Sequence, residues 1–103
     1  MNDADEEMIE RAGSVLIDAA SGPAKVILLG SHAGGGNGFD FLVIEQEVED
    51  QTTETAKLRH ALTGLEVPVK VLVMDAAAAE QRAKMRGTMV DRALREGRIV
   101  AES

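Results

Sequence analysis

Residues 27–44 read ILLGSHAGGGNGFDFLVI, with an apolar run on each side of nine residues that contain five glycines. Ile27 to Leu29 and Phe39 to Ile44 have the length and composition of strands, so the stretch reads as strand, glycine-rich gap, strand. Asp40 is the only formal charge in it. A lone carboxylate beside a glycine-rich turn poses the functional question, and two phosphate-binding loops can be tested by counting. A P-loop starting at Gly30 would need a lysine after Gly35, where Gly36 and Asn37 follow. The dinucleotide fingerprint fails because its third glycine falls on Phe39 or Phe41.

Outward from this stretch, the helical spacing of Met8, Ile9, Ala12, Val15, Leu16 and Ala19 predicts an amphipathic helix over 4–20, opened by Asp3 or Asp5 and ended by Ser21-Gly22-Pro23. The first strand is Lys25 to Leu29. Leu58, Ala61, Leu62 and Leu65 predict a second helix over 53–63, stopped at Gly64. Val67 to Met74 is a third strand, with Pro68 near its start. Ala76 to Met85 is helical by propensity and is broken at Gly87. Thr88 with Asp91 forms a capping-box pattern for a last helix, stopped by Gly97. The order is α-β-β-α-β-α-α, and the expectation is one α+β domain over 1–103: a small mixed sheet of about three strands with helices on one face.

The chain has 103 residues, 45% hydrophobic and 28% charged, the balance of a globular protein with room for one core. No apolar run reaches the ~20 residues of a membrane span, and the acidic start lacks a signal peptide's basic segment, so a cytoplasmic protein without a membrane partner is expected. There is no cysteine, and His32 and His60 are the only histidines. A metal would therefore be a hard cation on oxygen ligands, in practice Mg²⁺ or Mn²⁺. The net charge of −7 and an aromatic set of Phe39 and Phe41 alone disfavour nucleic acid as a partner. Charge is uneven. Glu45, Glu47, Glu49, Asp50 and Glu54 crowd one segment, whereas residues 76–100 carry six basic side chains against three acidic ones.

Gly30-Ser31 directly after a buried strand, with Asp40 entering the next strand, resembles the minimal nucleotidyltransferases of the DNA polymerase β superfamily, whose pattern is Gly-Ser, a variable loop and Asp-x-Asp. The resemblance extends over the leading helix, Val26 to Ser31, Phe39 to Ile44, Val67 to Asp75 and the closing Ala93 to Val100. It implies a small α+β domain, often encoded beside a helical HEPN partner as a toxin–antitoxin pair. It also implies that Gly30 and Ser31 hold the phosphates of an NTP and that Asp40 is a catalytic carboxylate and metal ligand. In the family, three carboxylates hold two Mg²⁺ ions that align the attacking hydroxyl and the leaving pyrophosphate. Here Gly38 stands where the first acid of Asp-x-Asp would be, and Lys70 where the third acid would be. His32 and Gly34 replace the basic residues that often follow Gly-Ser.

Other acids do not fill these gaps. Glu45 and Asp75 are five residues from the positions to be served, roughly 16 Å along a strand and on the opposite face, and Glu66 is roughly 13 Å from Lys70. Lys70 is expected to pair with Asp40 across the sheet. The resulting expectation is a catalytically impaired nucleotidyltransferase-like protein that works by binding a protein, either a HEPN-type toxin or a second copy of itself. The alternatives are an active Mg²⁺-dependent enzyme that moves NMP from an NTP to a hydroxyl, and a nucleotide sensor that needs no metal. Plainer readings stand beside these. The glycine run serves as a connection, Asp40 as a strand-end acid, His32 as a polar turn residue, and Arg82, Lys84 and Arg86 as a solvated face.

Overall fold

The computed structural model describes residues 3–29, 39–65 and 69–103. Its elements run α1 (Asp3–Ala19), β1 (Ala24–Leu28), β2 (Phe39–Glu45), α2 (Gln51–Ala61), β3 (Val69–Asp75), α3 (Ala76–Ala83), α4 (Met89–Glu96) and β4 (Arg98–Glu102). The strands form one mixed sheet in the order β3-β2-β1-β4. β1 is antiparallel to both β2 and β4, while β2 and β3 are parallel and joined by a crossover containing α2.

Strand alternation divides the core in two. Val26, Leu28, Phe39, Phe41, Val43 and Val73 point to one face, where Ile9, Ala12 and Leu16 of α1 and Leu58 and Leu62 at the end of α2 cover them. Ile27, Leu42 and Met74 point to the other face and meet Ala79 of α3 with Val90 and Ala93 of α4. Helices therefore cover both faces, not the single face expected. The reason is legible in β1 and β2: an interior strand flanked by helices on both sides carries a continuous apolar run, as Val26 to Leu29 and Phe41 to Ile44 do.

The sheet also has four strands where three were expected, and the order ends in a strand. β4 follows α4 after Gly97 and closes the edge beside β1. Its pairing shifts between Val26 and Ile27 of β1, so that Ala101 and Ile99 sit opposite adjacent residues and Val100 is the extra residue of a bulge. α1 lies close to β4: a Cβ on Gly13 would come within 3.1 Å of the Ala101 Cβ.

Side-chain caps set the helix starts. Asp50 accepts from the Thr53 amide at 3.2 Å, which begins α2 two residues earlier than its apolar pattern indicates. Asp75 ends β3 and caps α3 through the Ala78 amide at 2.8 Å. Thr88 caps α4 by accepting from the Asp91 amide at 3.2 Å, while the Asp91 carboxylate returns to the Gly87 amide, one residue before the position a capping box uses.

Candidate functional site

Asp40 is the second residue of β2 and is half-buried. It lies where β1 runs out: the last pairing is Leu28 with Phe41, and the Leu29 amide then donates to the Asp40 carbonyl at 2.9 Å. The chain leaving β1 towards Gly30 is thus tied by its backbone to the residue bearing the carboxylate. Across the parallel pair, Lys70 of β3 is the direct register partner of Asp40. Neighbouring strands are roughly 4.8 Å apart and partners in register share a face, so the lysine stem starts beside the aspartate. Lys70 is exposed and, among the described residues, enters no ion pair. The register expected for Asp40 and Lys70 is present; the ion pair expected between them is not formed.

The other candidate positions, Gly30, Ser31, His32 and Gly38 together with Glu66, lie outside the described residues. Among the described residues no cluster of three or more histidine, aspartate and glutamate side chains is arranged to hold a metal ion. Glu45 and Asp75 are register partners of each other at the far end of β2 and β3, five residues from Asp40 and Lys70. Chemically, among the described residues the Asp40 end combines the Asp40 carboxylate and the exposed Lys70 ammonium at the end of a strand. An ammonium on the strand beside a carboxylate opposes a divalent cation there and favours an anion instead.

A second polar centre, which the sequence reading passed over as part of an acidic crowd, lies at the opposite end of the sheet. Glu45 is 1% exposed and Glu54 7% exposed. Both carboxyls gather on Ser21 in the turn between α1 and β1. The Ser21 amide donates to Glu45 Oε1 at 3.2 Å and to Glu54 Oε2 at 3.0 Å, and its hydroxyl donates to Glu54 Oε1 at 2.7 Å. Lys57 Nζ donates to Ser21 Oγ at 2.7 Å and pairs with Glu54 Oε1 at 3.3 Å. Burial, reinforced by Glu54, pushes the Glu45 carboxyl up to about 7. Burial also acts upward on Glu54 but is outweighed by hydrogen bonds from Glu45, Ser21 and Lys57, which bring it down to about 2. Below about pH 7 the pair thus shares one proton. Beside it opens a cleft of about 680 Å³ lined by Ser21, Pro23, Glu47, Asp50, Thr53 and Glu54 among others.

The signal for this centre was present in the spacing. Glu45 continues the alternation of Phe39, Phe41 and Val43, and Glu54 is four residues before Leu58 on the same helix stripe.

No family model, curated protein or solved structure matches the chain. Among the described residues no helix is long and apolar enough to cross a membrane.

Proposed function

We propose that the chain is a nucleotidyltransferase-like domain, impaired in catalysis, that acts as an antitoxin-like protein-binding module for a HEPN-type toxin or a second copy of itself. The observation that carries this reading is Lys70 standing in register with Asp40, at the position where a metal-binding carboxylate would serve two-metal transfer. An ammonium in that place repels the cations that transfer requires, while leaving the domain free to serve as a binding surface.

A second reading, nucleotide sensing without transfer, is favoured by Lys70 itself: an exposed ammonium at that strand end, held by no carboxylate among the described residues, suits a phosphate. One experiment separates the readings. Isotope-labelled protein is titrated with ATP or GTP, with and without Mg²⁺, and pyrophosphate release is followed in parallel. The binding module gives no shifts and no pyrophosphate. A sensor gives metal-independent shifts at Asp40 and Lys70 that are lost in Lys70→Ala. Pyrophosphate release abolished by Asp40→Asn overturns the proposal and establishes an enzyme that uses Mg²⁺ and NTP. The partner half is tested by sedimentation of the purified chain, alone and with a HEPN protein encoded beside it. A monomer that ignores that protein counts against the module.

A further inference from the structure

We propose that Glu45, Glu54, Ser21 and Lys57 form a pH-sensitive clasp, which holds the α1–β1 turn against β2 and α2 while the two carboxyls share one proton and loosens when that proton is lost to solvent. The geometry requires the proton. Ser21 presents a single amide to two carboxyls, at 3.2 Å and 3.0 Å, so neither carboxyl has that donor to itself. Glu45 Oε2 is buried without a hydrogen-bond donor, a costly state for an anion and an ordinary one for a carboxylic acid that donates to its neighbour. With the proton in place, Glu45 can donate to the neighbouring Glu54, and Glu54 carries the one negative charge that Lys57 and the Ser21 hydroxyl satisfy.

Loss of the proton leaves two buried anions side by side, with one partly exposed lysine, Lys57, paired to Glu54. Like charges so placed repel, and the element that can yield is the short turn carrying Ser21. Among the described residues no other charge from the surrounding elements offsets this. On β3, Asp75 is directed to the Ala78 amide as the cap of α3, and on β1, Lys25 pairs with Glu102 of β4. On α1, Asp18 is exposed, and the flanking Glu47 is exposed and adds only negative charge. The turn stays fastened from below by the Gln46 amide bonded to the Pro23 carbonyl at 3.1 Å, so release is confined to the segment around Ser21, which is also one wall of the adjacent cleft.

The sign follows from the pair. Burial and Glu54 hold the Glu45 proton up to about 7, so the clasp is closed in mild acid and opens as pH rises through neutrality. The test is a carboxyl-carbon NMR titration of the wild-type chain labelled at glutamate, together with hydrogen exchange at the Ser21 amide corrected for intrinsic base catalysis. The expected result is a Glu45 midpoint near 7, well above the exposed glutamates, and a Ser21 opening equilibrium that grows about tenfold or more between pH 5.5 and 8. Glu45→Gln, which donates as the acid does but cannot ionise, should make that opening independent of pH. If this variant does not fold, Glu54→Gln should lower the Glu45 midpoint towards the ordinary range. A wild-type Glu45 that titrates with the exposed glutamates, or Ser21 protection that ignores pH, overturns the proposal, as does a Glu45→Gln variant with the wild-type pH response.

Discussion

Gly97 and Gly87 flank α4 and are glycines for different physical reasons. Gly87 has φ of 86°, a conformation that a side chain opposes. Gly97 has φ of −77°, which any residue adopts, but a Cβ there would collide with the Ala93 carbonyl, the Ile27 Cγ2 at 2.6 Å and the Leu28 carbonyl at 3.1 Å. Reading Gly97 as a helix stop was correct in position, yet its cause is tertiary, the close approach of α4 to β1, and no local pattern encodes that. Gly97→Ala should therefore destabilise the protein by roughly 1–3 kcal/mol in a denaturant titration. Gly22→Ala, with open space around it, should stay within about 0.5 kcal/mol. The same scale governs Lys70, which is exposed and, among the described residues, without an ion pair: Lys70→Ala should leave the unfolding free energy within about 0.5 kcal/mol of wild type. A larger loss would reveal a coupling to Asp40 that the register permits and the geometry does not use.

The elements most easily read were those whose two faces differ strongly. α1 declares its apolar stripe and β2 its alternation, and each was located to within a residue or two at its described ends. β4 was missed because Arg98-Ile99-Val100-Ala101-Glu102 is an edge strand, bulged and exposed over much of its length, whose charged ends mask its three apolar residues. It is held from outside the sheet by α1: Arg98 makes a two-point contact with Glu6, at 2.6 Å and 2.7 Å across 92 residues of sequence. The arginine holds the Glu6 carboxyl below its usual range. The pair is solvent-accessible, so Glu6→Gln should lower the thermal midpoint in low salt and lose that effect in 1 M salt, where the screening length falls to ~3 Å. Equal destabilisation at both salt concentrations would mean that Glu6 contributes packing, not charge. At the α3 boundary, Asp75→Ala removes the N-terminal side-chain cap of a short helix and should cost about 1 kcal/mol, with Asp75→Asn largely restoring it.

For the molecule as a whole, a net charge of −7 and a buried carboxyl pair both weaken the folded state as pH rises, and their signatures can be told apart. Glu54 is ionised in the fold down to about 2, so the stability it gives is complete above the ordinary carboxylate range and is lost as pH falls towards 2. Glu45 has the opposite sign. It is protonated in the fold up to about 7, so its contribution is complete below about 4.5 and is lost as pH climbs to 7. Stability should accordingly peak in mild acid, near pH 4.5, and decline towards pH 7 with a slope of at most about 1.4 kcal/mol per pH unit, the value for one proton. Surface repulsion adds to this decline, but at 1 M salt it is screened beyond ~3 Å, whereas the contact between Glu45 and Glu54 lies out of reach of the ions. Denaturant unfolding between pH 4 and 8 should therefore retain a one-proton decline in high salt for the wild-type chain and lose it in Glu45→Gln. A decline that salt abolishes in both would assign the pH dependence to the acidic surface, and the interior pair would then have no part in it.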